Sequence, residues 1–600
     1  MNDHKNMILA VVLSAFVLFG WGLFTETYFP TASEPSTKVV QGKQVAVPQT
    51  SATPGPTRPA PPRRLAQALG EAPRVAIDTP SLSGSLNLRG ARLDDLVLKR
   101  HHETIAPGSP PVRLFSPEGT TNAYYGSIGW MGDGRSAPGP DTLWRPSGPR
   151  LSPGSPVTLS WDNGAGQLFE IVVSVDDGYL FTTEQRVTNR GASAVAAQPF
   201  AMINRTGESP DPDSWTMHVG PVGVFNEGAD YGNDWDVVRE ARERSFNSRG
   251  GWLGFSDKYW LAAIVPDQSR NVEAAFRHIA STNSFQADFQ AAPAVVAPGQ
   301  THRHRSHMFA GAKEVQLLDR YSEALGTELE RAIDWGWFRW FMIPIFSLLN
   351  WLFAMIGNFG VAIISLTLIV RLLLFPIAQK QFASMAAMRV LQPKIKTLQE
   401  RYKDDKPRMQ QEMLKLYKEE KVNPMAGCLP ILLQIPIFYA LYKVLLLAVE
   451  MRHEPFTLWI RDLSAPDPLT PVNLFGYLAF QPPAFLALGV LPILLGITMW
   501  LQFRLNPAPM DPVQKQVFAF MPWILMFLMA PFAAGLQLYW TFSNILTIAQ
   551  QKLLYARHPI LRQQAAAEAA KPAEPEPAAP PPPPPPPRPP ASRKRKQRPR

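Results

Sequence analysis

The stretch Gly357-Asn-Phe-Gly-Val-Ala-Ile-Ile-Ser-Leu-Thr-Leu-Ile-Val-Arg-Leu-Leu-Leu-Phe-Pro-Ile-Ala378 decides the fold class of this chain. Its length matches the width of a bilayer, because a helix rises about 1.5 Å per residue. Its one charged residue, Arg371, would cost roughly 2.5–3.5 kcal/mol at the bilayer centre on insertion scales. The stretch therefore predicts a membrane helix whose arginine either reaches back to the cytoplasmic headgroups or serves a function.

Other apolar stretches extend this prediction to six spans. Residues 7–24 follow Lys5, and a cleaved signal peptide is the alternative there. The apolar run is longer than such peptides usually have and no convincing cleavage site follows, so we expect an uncleaved anchor. The remaining spans are predicted at residues 428–449, 484–503, 517–532 and 536–554.

Aromatic residues distinguish the segment just before the second span. Residues 334–356 carry five Trp and Phe side chains within their first eight positions. Aromatic rings settle at headgroup level, which favours an amphipathic helix lying in the membrane interface.

Basic residues predict the orientation of the spans, because cytoplasmic loops retain Lys and Arg. Residues 379–427 contain eleven of them and residues 451–483 contain two. The tail from residue 552 onward again holds eleven, against three acidic residues. We therefore expect both termini, residues 1–6 and 556–600, in the cytoplasm. The region between the first two spans then lies outside, which is the periplasm in a bacterium with two membranes.

That outer region divides into a linker and a domain. Residues 25–74 are rich in Pro, Thr, Ser and Ala and bury too little apolar surface to fold. Residues 75–325 contain short alternating runs such as Val157-Thr-Leu-Ser-Trp161, followed by the turn Asp162-Asn-Gly-Ala-Gly166. They predict a large all-β domain with a sandwich architecture.

Composition excludes several kinds of site. Cys428 is the single cysteine, which excludes an intramolecular disulfide framework, a multi-cysteine zinc site and a cysteine-ligated iron–sulfur cluster. The sequence has no P-loop and no nucleophile elbow. His302, His304 and His307 lie in a basic β segment without acidic neighbours, so we expect no metal there. We expect no cofactor.

Polar residues inside the apolar half suggest a wet cavity. Thr367 precedes Arg371 by one helical turn, and Gln434 lies between two prolines of the third span. Helix–helix hydrogen bonding is the ordinary alternative for such residues. Lys443, by contrast, is expected to extend outward to the headgroups. The last span carries Trp540 and a polar stripe of Gln537, Thr541, Asn544, Thr547 and Gln551. The mouth of the cavity should face the cytoplasm.

The cytoplasmic segments are patterned too. Apolar residues recur at helical spacing on both sides of a break at residues 404–407, so residues 379–427 predict a helical hairpin. Its methionine-rich face is either a binding surface or a self-packed seam. The tail has eight consecutive prolines at residues 580–587 and then a basic run. That run suits ribosomal RNA or anionic lipid, with a solvated topology signal as the alternative, and it includes Arg593, Lys594, Arg595 and Lys596.

The membrane half contains five short motifs in a fixed order. They are Ile363-Ile-Ser-Leu-Thr-Leu-Ile-Val-Arg371, Met388-Arg-Val-Leu-Gln-Pro-Lys-Ile-Lys396, Glu419-Glu-Lys-Val-Asn-Pro424, Gly427-Cys-Leu-Pro430 and Gln434-Ile-Pro-Ile-Phe438. The β domain adds Gly251-Trp-Leu-Gly-Phe255. In this order and topology the motifs resemble the YidC family of membrane protein insertases, in the Gram-negative form with a large periplasmic domain.

The resemblance implies a five-helix insertase core over residues 357–555 around a hydrophilic groove. It also implies an apolar slide on the third and fifth spans, a hairpin that receives substrates, and a β super-sandwich that contacts the Sec translocon. Tyr539-Trp540 replaces the paired tyrosines common in the last span of this family. The implied groove residues are Arg371 at its centre with Thr367, Gln434, Trp540, Asn544 and Thr547, and the implied slide residues are Phe438, Met521 and Phe527.

The expected function is insertion of nascent proteins into the inner membrane, alone or with Sec, by a monomer that is not an enzyme. Translating ribosomes and membrane lipids are the other expected partners. A secondary transporter with an intramembrane anion site is the alternative, because an arginine in a membrane often marks an anion pathway. A sugar-acting enzyme or envelope sensor carried by the β domain is a further alternative, for which the sequence offers no identifiable acid–base pair.

Overall fold

The computed structural model describes residues 62–131, 136–211, 217–226, 228–403, 405–420, 429–478, 480, 488–505 and 512–557. The expected anchor at residues 7–24 and the basic run after residue 592 lie outside this part of the chain. Two compact units divide the chain. The first comprises Met1–Leu373, Ile431–Trp500 and Gln516–Asn544, and the second comprises Leu374–Pro430, Leu501–Lys515 and Ile545–Arg600.

The amino-terminal half is rich in β strands. In chain order the first strands are β1 (Arg74–Asp78), β2 (Leu82–Asn87), β3 (Arg92–His102), β4 (Pro111–Phe115), β5 (Tyr124–Trp130), β6 (Arg145–Pro146), β7 (Arg150–Leu151), β8 (Val157–Asp162), β9 (Gln167–Val175), β10 (Leu180–Asn189) and β11 (Val195–Ala197). They continue as β12 (Pro199–Thr206), β13 (Gly220–Phe225), β14 (Gly228–Asp230), β15 (Glu243–Arg249), β16 (Trp252–Ser256), β17 (Trp260–Val265), β18 (Asn271–Ile279), β19 (Ser284–Ala291), β20 (Ala294–Val296) and β21 (Thr301–Ala312).

Most of these strands form two large sheets. One has ten strands in the order β15-β18-β19-β12-β5-β3-β2-β1-β7, with β4 paired to β3. The other has nine in the order β14-β13-β16-β17-β21-β10-β9-β8-β6, and β11 pairs with β20. The predicted all-β domain is therefore confirmed in kind.

Alternation of side chains explains why these segments form strands. β9 and β10 alternate between buried and partly exposed residues along their whole lengths, as half-buried antiparallel strands do. The two sheets pack face to face. The Nε2 of Gln185 on β10 donates to the carbonyl of Gly129 on β5, 2.5 Å away, and the ring of Phe255 on β16 lies 6.5 Å from that of Phe276 on β18. The domain core lies between the sheets.

Helices dominate the second half of the chain. The first three accompany the β domain: α1 (Leu65–Gly70), α2 (Trp235–Ala241) and α3 (Val315–Leu325). The others are α4 (Arg339–Ile356), α5 (Phe359–Leu373), α6 (Phe375–Arg401), α7 (Lys406–Glu419), α8 (Leu429–Leu447), α9 (Val490–Leu505), α10 (Pro512–Met529) and α11 (Ala534–Arg557). Three 3₁₀ turns lie at Leu329–Ala332, Val449–Met451 and Pro471–Gly476.

Within the described residues, α4 is the helix that is both long and apolar enough to cross a membrane. Shorter apolar helices lie at Phe359–Leu373, Gln434–Leu447, Val490–Leu505 and Ala519–Met529. The sequence instead predicts that α4 lies in the interface, and that stays a prediction. α4 packs on α5 through Phe353 and Phe359, whose stacked rings lie 3.7 Å apart, and it leaves Trp340 and Trp351 exposed.

Two buried polar side chains fix the ends of the core helices. Asp467 accepts hydrogen bonds from the Leu469 N–H, from the Trp459 ring N–H and from Leu491 N–H at the start of α9. The Nε2 of Gln537 donates to the carbonyls of Met529 and Phe532 at the end of α10, at 2.9 and 2.8 Å. These bonds satisfy backbone groups that helix ends leave unpaired.

In the second unit, α6 and α7 occupy the region where the sequence predicts a hairpin. The carboxylate of Asp405 accepts from the Arg408 N–H and caps the start of α7. The Nζ of Lys394 donates to Glu420, 2.6 Å away, which joins the two helices by an exposed ion pair.

Candidate functional site

Arg371 lies near the end of α5 and is half-buried. Its Nη2 donates to the hydroxyl of Ser543 on α11 at 2.5 Å. Among the described residues, no carboxylate lies within ion-pair distance of this guanidinium, although many arginines of the chain are paired with one. The cation therefore keeps its charge uncompensated by any described anion.

A second hydrogen bond lies next to the first. The Nε2 of Gln434 on α8 donates to the phenol oxygen of Tyr539 at 2.7 Å. Tyr539 precedes Ser543 by one helical turn on α11, so the two side chains lie on the same face. We call Arg371, Gln434, Tyr539 and Ser543 the arginine cluster. It joins α5, α8 and α11 through polar groups inside an apolar set of helices.

The structure separates the other predicted groove residues from this cluster. The hydroxyl of Thr367 donates to the Ile363 carbonyl in its own helix at 2.7 Å and is buried. The Nδ2 of Asn544 donates to the hydroxyl of Thr498 on α9 at 3.2 Å. Both bonds are the ordinary helix hydrogen bonds that the sequence leaves open as an alternative.

The residues of the polar stripe on α11 therefore have different partners and do not form a single site. Gln537 caps α10, and Thr541 is buried with no partner for its hydroxyl among the described residues. Thr547 lies further along α11, where the second unit begins, and Gln551 follows one turn later. The face that meets Arg371 is displaced by one residue from the predicted stripe, which corresponds to about 100° around a helix.

Sequence reasoning missed Ser543, and it noted Tyr539 only as part of the pair that replaces the paired tyrosines of the family. Their spacing of four positions was available as a signal, but the longer polar series on the same helix was chosen instead. Only the packing of α5 and α8 against α11 identifies the face that they share.

The residues of the apolar slide are in different environments. Phe438 on α8 packs against Trp540, with ring centroids 4.7 Å apart, so a predicted groove residue contacts a predicted slide residue. On α10, Met521 is half-buried and Phe527 is 56% exposed. The exposed side of α10 repeats at helical spacing and consists of Phe520, Trp523, Ile524, Phe527 and Leu528. Such an apolar face suits lipid or a hydrophobic segment.

The described residues contain no group of three potential metal ligands drawn from His, Cys, Asp and Glu. Burial lowers the pKa of both His304 and His307 to about 4, so both imidazoles are neutral at ordinary pH. The Nδ1 of His307 lies 2.9 Å from the Thr182 hydroxyl, within hydrogen-bond distance. These histidines therefore pack as neutral side chains within the sheet.

The expected polyanion-binding residues Arg593, Lys594, Arg595 and Lys596 lie outside the described residues.

Family models match both halves of the chain. The model of the 60Kd inner membrane protein family matches residues 351–561, which contain α5 and all later helices. The model of the YidC periplasmic domain matches residues 74–348, which contain the two large sheets.

Relatives match the chain over almost its full length. A membrane protein insertase YidC from Zymomonas mobilis is 48% identical over 96% of this chain and 99% of its own. One from Methylorubrum extorquens is 43% identical over 93% of this chain and 96% of its own. The crystal structure of an active YidC insertase with its first transmembrane domain resolved is 18% identical, covers 82% of this chain and 96% of its own, and gives a TM-score of 0.33.

Proposed function

This chain belongs to the YidC family of membrane protein insertases, and we propose that Arg371 is the working charge of its insertion groove. A member of this family is a bacterial inner-membrane protein with a periplasmic domain, acts on nascent membrane proteins and is not an enzyme. The question that remains is how these residues lower the barrier to insertion.

One observation carries the proposal. Arg371 is half-buried among apolar helices, and its described partner is the neutral hydroxyl of Ser543. A hydroxyl satisfies one N–H of the guanidinium but does not neutralise its charge. A client carboxylate that reaches Arg371 gains a charge-assisted bidentate partner, which offsets part of the cost of leaving water. A guanidinium suits this role because it stays protonated even when buried.

The other members of the cluster support that role. Gln434 and Tyr539 satisfy each other at 2.7 Å and interact with the same region of α11. They offer polar groups to a client segment without competing for the charge of Arg371. Asn544 acts instead by joining α11 to α9 through Thr498, whereas the hydroxyl of Thr367 is satisfied within α5 by the Ile363 carbonyl.

Insertion then proceeds without a nucleotide. A short acidic segment of the client enters from the cytoplasm and pairs transiently with Arg371. The following hydrophobic span moves along Phe438, Met521 and Phe527 into lipid. With the cell interior negative, outward movement of each carboxylate gains about 2.3 kcal/mol per 100 mV.

We further propose the finer topology. Six spans place both termini in the cytoplasm, and the two sheets form a periplasmic super-sandwich. The unequal distribution of basic residues supports this arrangement: eleven in residues 379–427 and two in residues 451–483.

Clients come from a translating ribosome, which the tail contacts through Arg593, Lys594, Arg595 and Lys596, and some arrive through the Sec translocon. A monomer in contact with membrane lipids is the working unit.

The test is insertion of a single-span client with an acidic outer tail into liposomes that contain the purified chain. Wild type, Arg371→Ala and Arg371→Lys are compared by protease protection of the client. We expect alanine to reduce insertion about tenfold or more and lysine to retain most of it at pH 7, because a lysine ammonium is still mainly charged at that pH. The matched control is a client whose tail carries Asn and Gln in place of Asp and Glu. Its insertion should depend little on Arg371.

Other outcomes overturn the proposal in different ways. Equal insertion by all three proteins would leave Arg371 as a residue that extends to the headgroups. No insertion above empty liposomes, together with solute flux, would favour the transporter.

A further inference from the structure

The segment that follows α8 contacts the β domain at several points. The carboxylate of Glu450 accepts from the N–H of Val315, the first residue of α3, at 3.0 Å. The guanidinium of Arg452 donates to the carbonyls of His102 and Glu103, at 2.7 and 3.2 Å, where β3 ends. All these residues belong to the first compact unit.

Aromatic rings reinforce the contacts of Arg452. Its guanidinium carbon lies 5.2 Å from the ring centroid of Trp260, the first residue of β17, and 5.9 Å from that of Tyr259, which precedes the strand. A planar guanidinium can lie over a ring and donate to two carbonyls from its fixed fork of N–H groups, and the compact ammonium of lysine reproduces this geometry only in part. The geometry of this site therefore favours arginine over lysine.

A third contact lies one turn before the end of α8. Lys443 is only 2% exposed, and its Nζ donates to the carbonyl of Asp334 at 2.7 Å and lies 3.6 Å from the Asp334 carboxylate. The expectation that Lys443 extends outward to headgroups is therefore wrong. Asp334 also accepts from the N–H of Gly336, and this turn joins the β domain to α4.

The geometry of this turn leaves little freedom. Gly336 has a φ of +68°, which favours glycine, and a Cβ there would lie 3.3 Å from the Nζ of Lys443. The lysine side chain therefore packs directly against the glycine turn. The carbonyl and the carboxylate of Asp334 give the buried ammonium the partners that its burial requires.

We propose that Lys443, Glu450 and Arg452 are positioning residues that dock the β domain on the outer end of α8. α8 also carries Gln434 and Phe438, so the docked domain fixes the helix that contributes one wall of the insertion groove. The second half of this inference rests on the function proposed above, but the docking itself does not.

Two independent measurements on the full chain in nanodiscs test it. Hydrogen exchange of residues 100–105 and 313–320 reports docking, and exchange of β9 reports whether the sandwich is folded. Insertion of the acidic-tail client reports function. The variants are Arg452→Ala, Glu450→Ala and Lys443→Met, and Arg461→Ala is the matched control because Arg461 is an exposed arginine in the same loop.

We expect Arg452→Ala and Glu450→Ala to raise exchange in both docking segments about tenfold while β9 stays protected. Lys443→Met should raise exchange around residue 334 by a similar factor. Insertion should fall about fivefold in each, Arg452→Lys should recover part of it, and Arg461→Ala should match wild type.

Unchanged exchange in the three variants would overturn the docking. Faster exchange with normal insertion would overturn the positioning role and keep the contact. If wild type fails to insert while its docking segments stay protected, the proposed function fails and the docking stands.

Discussion

Arginines inside the protein have different partners in the β domain and among the core helices. In the β domain, Arg205 donates to Asp257 at 2.7 Å and Arg277 donates to Asp288 at 3.0 Å. Arg371 in α5 faces the hydroxyl of Ser543. A buried cation with its own carboxylate is satisfied and contributes to a unique fold, whereas one facing a hydroxyl still has charge to offer. This difference supports the proposal that Arg371 is the arginine available to a passing anion.

The largest effects are expected when one arginine is removed from each region. Arg205→Met leaves Asp257 buried without its cation, so we expect a loss of about 3–5 kcal/mol in the free energy of unfolding. Arg371→Met removes a half-buried charge that has no carboxylate partner among the described residues, so the free energy of unfolding should change little while insertion falls. Denaturant unfolding of the full chain in detergent, followed by tryptophan fluorescence, measures the first quantity and the liposome assay the second.

Arg303→Met is the control for the first change, because Arg303 is 66% exposed at its side chain and lies 3.8 Å from Glu184. Surface pairs of that kind contribute about 0–1 kcal/mol. If Arg205→Met and Arg371→Met proved equally destabilising, the contrast between the two regions would be lost.

Lys313 in the β domain shows how a buried lysine that faces a hydroxyl differs from an arginine in the same situation. It is 2% exposed, and its Nζ donates to the hydroxyl of Ser256 at 2.9 Å. Burial lowers its pKa from 10.5 to about 8, although Asp257, Asp211 and Asp334 act in the opposite direction. A buried lysine facing a hydroxyl can therefore release its proton, which an arginine does not do.

The sign of the resulting pH dependence follows from the lowered pKa. Between pH 8 and 10.5 the unfolded chain binds more protons at this lysine than the folded chain, so its contribution to stability rises with pH. Below pH 8 the penalty is constant. We expect the stability difference between wild type and Lys313→Met to shift by up to about 3 kcal/mol in favour of wild type across that range. A difference independent of pH would show that Lys313 titrates normally.

The smallest expected effect belongs to the helix cap formed by Gln537. Its Nε2 donates to carbonyls at the end of α10, and Gln537→Ala leaves them without that donor. We expect a loss of about 1–3 kcal/mol in the free energy of unfolding and an insertion rate near that of wild type. Thr547→Ala, further along the same helix, is the comparison variant. A large loss of insertion with a normal free energy of unfolding would contradict this prediction and would indicate that Gln537 acts in the groove.

The sequence predicts the classes of structure well and the partners of single side chains poorly. Alternation of apolar residues predicts the β domain, and long apolar stretches predict helices close to α5, α8, α9, α10 and α11. Lys443 shows the limit: its helix is predicted, but its partner Asp334 lies more than one hundred positions away. A snorkelling lysine and a buried lysine have the same local sequence, and only the neighbouring chain distinguishes them.

The groove shows the same limit on a smaller scale. Periodicity identifies a polar series on α11, and composition identifies Arg371 as exceptional. The two become one site only when α5, α8 and α11 pack, because rotation of a helix by one residue changes the facing side chain. That rotation replaces the predicted partners by Ser543 and Tyr539.

The sequence by itself indicated the family and the two kinds of domain, and it predicted a role for Arg371. The family follows from a series of short motifs, and the other two follow from hydrophobicity, period and charge, all of which are local along the chain. The tertiary structure alone decided that Arg371 faces a hydroxyl, that Gln537 caps a helix and that Arg452 holds the β domain. Each of these depends on distances of a few ångströms between residues far apart in sequence, and such distances are fixed only when the helices and sheets pack.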